Sequence, residues 1–100
     1  MVFDFSEINL NGEYEKVAEK DKDGKSRSRF LKNGNTFLVI NSSTIEVRCD
    51  QKLAKLLQEK YESVMQSRYF GRGGVEIVPA GQLTQAELID LVRLSYNLTT

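Results

Sequence analysis

The chain contains no histidine among its 100 residues. That removes imidazole as a general acid or base, as the partner of a serine or cysteine nucleophile, and as a metal ligand. There is one cysteine, Cys49. It cannot close an internal disulfide or build a structural zinc site, and its isolation fits a reducing compartment. No Walker A pattern and no Gly-x-Gly-x-x-Gly fingerprint occurs. No run approaches the ~18 apolar residues of a membrane span. The opening Met-Val-Phe-Asp-Phe-Ser-Glu lacks the basic and apolar regions of a signal peptide. These absences predict a cytoplasmic protein with no membrane contact, no cofactor, no bound metal and no enzymatic activity.

Excess charge of one sign is also missing. Lys+Arg and Asp+Glu are both 14, whereas a dedicated nucleic-acid binder usually carries a basic surplus. The distribution is uneven. Residues 1–24 hold seven acids and three bases, and residues 25–34 hold four bases and no acid. Residues 51–74 carry a second basic excess, five bases against two acids. The apolar fraction of 40% and charged fraction of 28% describe a globular chain. Its length suits one domain, with residues 1–24 an unassigned N-terminal segment and residues 25–98 an α+β core.

Within residues 1–24, Phe3, Phe5, Ile8 and Leu10 fit an extended segment. Tyr14, Val17 and Ala18 fit a helical turn or a strand equally. Asp21-Lys22-Asp23-Gly24 is a turn. It lacks the glycine at position six and the glutamate at position twelve of a calcium loop. Residues 25–32 alternate as a strand with Lys25, Arg27 and Arg29 on one face, and Asn33-Gly34 signals a tight hairpin. Residues 36–41 read as a buried strand. Residues 44–49 read as a third, with Ile45, Val47 and Cys49 inward. Asp50 is a helix N-cap for an amphipathic helix over 51–61. Residues 63–70 are extended, and Gly71-Arg72-Gly73-Gly74 reads as a turn or loop. Val75, Ile77 and Val78 form another strand, closed by Pro79. Thr84 and Glu87 make a capping box for a final helix carrying Leu88, Leu91, Val92 and Tyr96. The predicted architecture is α+β, order β-β-β-α-β-β-α: an antiparallel sheet, meander plus hairpin, with two main helices on one face.

From residue 36 onward the chain resembles the MmcQ/YjbR family of small bacterial proteins. The resemblance rests on Thr36-Phe37-Leu38-Val39-Ile40, on Val47-Arg48-Cys49-Asp50 with the helix ending at Lys60-Tyr61, and on Leu83, Leu88 and Ser95-Tyr96-Asn97-Leu98. It implies a double-wing, frataxin-like α+β fold, a bacterial cytoplasmic setting and a proposed role in DNA binding. The chain departs from the family pattern in two places. Ser67-Arg68-Tyr69-Phe70-Gly71-Arg72-Gly73-Gly74-Val75 stands where the family carries Asn-Lys-x-His-Trp, and the family's N-terminal helix is not evident.

Two segments are candidates for binding nucleic acid. Around Tyr69-Phe70-Gly71-Arg72, a flexible backbone with Arg68 and Arg72 could meet a phosphate, and Tyr69 could stack on a base. The plainer alternative is a hairpin whose glycines serve the turn and whose aromatics pack inward. The stripe Lys25-Arg27-Arg29 could track a phosphate backbone, or simply blunt the edge of a sheet. Cys49 reads as core filler, the alternative being a thiol activated at a helix N-terminus. The expected function is a nonenzymatic binding module that contacts nucleic acid through Lys25, Arg27, Arg29, Arg68, Tyr69 and Arg72. The alternative is a protein-interaction or structural domain, monomeric or weakly dimeric, with the acidic first 24 residues covering the basic region. A carboxylate-based enzyme is a third reading, and it needs a cleft lined by at least two acids.

Overall fold

Asn33 and Gly34 both take positive φ, 52° and 81°, the type I′ geometry that matches the twist of paired strands. In the computed structural model, which describes residue 10 and residues 12–100, this turn joins β2 (Ser26–Lys32) to β3 (Asn35–Ile40). The extended reading of Phe3, Phe5 and Ile8 lies outside the described residues. A turn at residues 41–44, closed from the Asn41 amide to the Thr44 carbonyl, leads into β4 (Ile45–Arg48). Asp50 caps α1 (Gln51–Lys60) by accepting the Leu53 amide at 2.9 Å. Then β5 (Val64–Ser67) and β6 (Gly71–Ile77) form a hairpin. Thr84 and Glu87 close both bonds of the expected capping box at the start of α2 (Gln85–Leu98).

The fold is α+β as expected, with one further strand. Residues Glu15–Lys20 form β1, which pairs antiparallel with β2. The sheet order is β1-β2-β3-β4-β6-β5, antiparallel throughout. The short Val17-Ala18 apolar pair is too weak to specify a strand alone, and pairing along β2 decides it. Two boundaries also move. Residues 71–74, expected to turn, begin β6, and the turn falls at 68–70.

Both helices lie on one face, α2 against β3 and β4 and α1 against β5 and β6. The register explains which face. Phe30, Leu38, Val47 and Val75 stand in one cross-strand row, and Ile40, Ile45, Ile77 and Val64 in another. All but Ile40 are buried core, and Ile40 packs against it. Leu88, Val92 and Tyr96 of α2 close the same core. Residues one step out of phase face the other way. Arg29, Val39, Glu46, Glu76 and Met65 form the row on the open face, and neither described helix covers it.

Among the described residues, β1 and β5 are the sheet edges. The stripe on β2 therefore does not guard an edge, because β1 lies outside it. β1 guards itself. Antiparallel pairing with a second copy sets Glu15 opposite Glu19 when centred on Val17, and Lys16 opposite Lys20 when centred on Ala18. Like charges directly opposed disfavour both registers.

Candidate functional site

The open face is polar because the pleat sends alternate side chains of the buried strands there. Glu19 of β1 stands opposite Arg27 in the register. Its carboxylate accepts from Arg27 Nε at 2.6 Å and Arg29 Nε at 2.8 Å. Arg29 Nη1 continues to Thr36 Oγ1 at 3.0 Å and to Tyr69 Oη at 3.4 Å. Thr36 and Tyr69 share a further bond at 3.1 Å. The Arg27 guanidinium lies over the Tyr69 ring, 5.5 Å from its centroid.

On the far side of Tyr69, Glu46 and Glu76 are cross-strand neighbours and are 2% and 3% exposed. Burial of a carboxylate is tolerated only when its oxygens are paired. Glu46 accepts from Ser67 Oγ, the Tyr69 amide and Asn41 Nδ2 at 2.8, 2.9 and 2.9 Å. Glu76 accepts a bidentate pair from Arg68 at 2.9 and 2.8 Å, and Thr44 Oγ1 at 2.7 Å. The turn at 68–70 is thereby folded onto the sheet and pinned by two carboxylates. Gly74 makes room for it, since a Cβ there would stand 2.8 Å from Phe70 Cβ.

Glu19, Glu76, Arg29 and Arg68 are held in their ionised forms. Bonds from Arg29 and Arg27 lower the Glu19 carboxyl below its ordinary value. The Glu19 bond raises the Arg29 guanidinium, and the Glu76 bond raises that of Arg68. Burial pushes the Glu76 carboxyl up, but the Arg68 and Thr44 bonds outweigh it and leave it lowered. Cys49 belongs to a different region. It is buried in the core, where desolvation pushes its thiol up to about 11. That opposes the activated reading.

A cleft of about 350 Å³ opens between the two clusters, lined by Arg27, Asn41, Glu46, Arg68, Tyr69 and the turn at 21–23. A shallower hollow of about 470 Å³ lies beside it along Ala18, Ser26 and Ile40. Asp21 Oδ1 accepts the amides of Asp23 and Lys25, which fixes the turn. The cleft meets the requirement of at least two acids. Yet both oxygens of Glu46 already accept hydrogen bonds, and an oxygen of Asp21 is spent on its own turn. Among the described residues, no group of three or more His, Cys, Asp or Glu side chains is placed to hold a metal ion.

Of the residues singled out in the sequence, Arg27, Arg29, Arg68 and Tyr69 converge on this face, although some 40 residues separate Arg27 and Arg29 from Arg68 and Tyr69. Lys25 precedes β2 and is exposed, and Arg72 is exposed near the start of β6. Neither makes an ion pair among the described residues. Sequence reading missed Glu19, Asn41, Glu46 and Glu76. A signal was present for two of them. Ile45-Glu46-Val47 and Val75-Glu76-Ile77 each set one acid between two inward β-branched residues, which directs it to the opposite face.

Fold and site together define a class: an α+β domain with an open antiparallel sheet and a charge-paired cleft on the face opposite its two described helices. Among known proteins, no family model, no curated protein and no solved structure matches the chain. No described helix is long and apolar enough to cross a membrane.

Proposed function

We propose that this chain is a non-catalytic binding domain whose recognition surface is the open-face cleft, and that its partner is a polypeptide. One observation carries the choice of partner. Every arginine bordering the cleft is already ion-paired with a carboxylate of the same chain: Arg27 and Arg29 share Glu19, and Arg68 holds Glu76. The acidic N-terminal stretch thus supplies part of the cover over the basic residues, through Glu19. A phosphate backbone would have to displace those carboxylates, leaving Glu76 buried and unpaired. Of the residues singled out for phosphates, Lys25 and Arg72 remain, joined by Lys22 on the turn that lines the cleft. So few contacts support only weak, salt-sensitive binding, because affinity for duplex DNA grows with each counterion released. The resemblance of residues 36–98 to MmcQ/YjbR proteins agrees with a non-catalytic role.

The test is selection from a random peptide library, followed by titration of each purified peptide into ¹⁵N-labelled protein. A parallel titration uses duplex and single-stranded DNA at low salt. Selected peptides should shift the amides of residues 21–27, 41, 46 and 68–70, and DNA should leave them in place. The proposal fails if DNA shifts that set and no peptide does.

A further inference from the structure

The two charge clusters are not balanced individually. On one side, two guanidiniums, Arg27 and Arg29, share the single carboxylate of Glu19. Their formal sum is one positive charge. On the other, two carboxylates, Glu46 and Glu76, share the single guanidinium of Arg68. It is bonded to Glu76, while its charge also reaches Glu46. Their formal sum is one negative charge. Tyr69 stands between them, its hydroxyl on Arg29 and its amide on Glu46. The cleft spans the pair, since Arg27 and Glu46 both line it. The two clusters therefore cancel in total and are dipolar in arrangement, and the turn at 21–23 adds two acids and one base, Asp21, Asp23 and Lys22, to the lining of the cleft.

Such a field discriminates among ligands. An all-acidic group meets Glu46, and an all-basic group meets Arg27, so like-charge contact opposes each. A ligand carrying both signs side by side satisfies both ends. The volume of about 350 Å³ lies at the small end of the ~300–1,000 Å³ range of ligand pockets. It therefore suits two adjacent side chains or one chain end, and not an extended polymer.

We infer that the cleft takes a dipolar segment of polypeptide, with an acidic group toward Arg27 and a basic group toward the acids that line it, Glu46 together with Asp21 and Asp23. This inference rests on the polypeptide reading above and adds the charge pattern of the partner.

The test uses the whole chain, ¹⁵N-labelled, and four capped pentapeptides: Gly-Asp-Lys-Gly-Gly, Gly-Asp-Asp-Gly-Gly, Gly-Lys-Lys-Gly-Gly and Gly-Ser-Ser-Gly-Gly. The dipolar peptide should bind at least tenfold more tightly than the other three, at the amides of residues 27, 41, 46 and 69. Arg27→Gln should remove the preference over the all-basic peptide, and Glu46→Gln the preference over the all-acidic one. Should the buried Glu46→Gln variant not fold, the four-peptide comparison and Arg27→Gln decide alone. Equal binding of the all-acidic or all-basic peptide at the cleft overturns the dipolar inference and leaves the polypeptide reading standing. If none of the four binds, the dipolar inference is likewise overturned, and the library selection judges the broader reading separately.

Discussion

Ser95 offers a sharp test of how α2 is locked to the sheet. It is fully buried. Its hydroxyl donates to the Phe37 carbonyl at 2.5 Å and accepts the Arg48 amide at 2.8 Å. The pairing of β3 with β4 ends at Leu38 and Val47. Phe37 and Arg48 would be the next pair in register, but β3 is irregular here: Leu38 pairs with Phe30 and Thr36 with Leu31, which leaves Phe37 over. The hydroxyl bridges the splayed strands. In Ser95→Ala both backbone groups lose that partner. Each buried group left unsatisfied costs on the order of 1–3 kcal/mol. The strands recover part of this by closing the gap, so the expected loss is about 2–4 kcal/mol. For a domain of this length, melting should fall by roughly 10–25 °C. Urea unfolding followed by far-UV circular dichroism measures it, with the exposed turn variant Ser42→Ala expected within ~0.5 kcal/mol of wild type. A Ser95→Ala protein within ~0.5 kcal/mol of wild type at unchanged m-value would refute the bridging role.

Three further outcomes are expected. Because the Glu76 carboxyl is lowered from its ordinary 4.5, its contribution is present above the unfolded value and lost as pH falls through the folded one. Urea unfolding at pH 7 and pH 3 should show wild type losing more stability on acidification than Glu76→Gln, whose loss is already present at pH 7; equal acid dependence would sink this reading. Cys49, buried and with its thiol pushed up to about 11, should stay unreacted with a thiol reagent at pH 8 while the urea-unfolded chain reacts fully, and fast native labelling would show that it is accessible. Gly74→Ala sets a Cβ 2.5 Å from the Val47 carbonyl oxygen, which the paired strands cannot relieve. It should cost the upper part of the ~1–3 kcal/mol of overpacking. Gly73→Ala, whose nearest neighbour is the Phe70 oxygen at 3.6 Å, should stay within ~0.5 kcal/mol, and similar losses in the two variants would contradict the contact.

Features encoded within a few residues were legible. Asn33-Gly34, Asp50 and the Thr84/Glu87 box each act on backbone groups no more than three positions away, and each occupies its expected place. The strand at 15–20 was not legible, since Glu15-Lys16-Val17-Ala18-Glu19-Lys20 has no inward apolar face of its own and is held by pairing with β2. The glycines at 71–74 read as a turn because glycine breaks strands on average. Here Gly74 belongs in one, because Phe70 packs against it.

The basic face has the same history on a longer scale. Period-two alternation by itself placed Arg27 and Arg29 on one side of a strand, and no more than that. Only the tertiary structure brought Arg68 and Tyr69, some 40 residues further along, onto that side, and only it supplied Glu19, Glu46 and Glu76 as partners, from strands 8 to 23 residues away in sequence. The reason is physical. Helix caps and tight turns are settled by local hydrogen bonds, so the sequence determines them directly. The charge of a surface depends on which carboxylates the sheet order and register set beside its arginines, and that is decided when the strands pair.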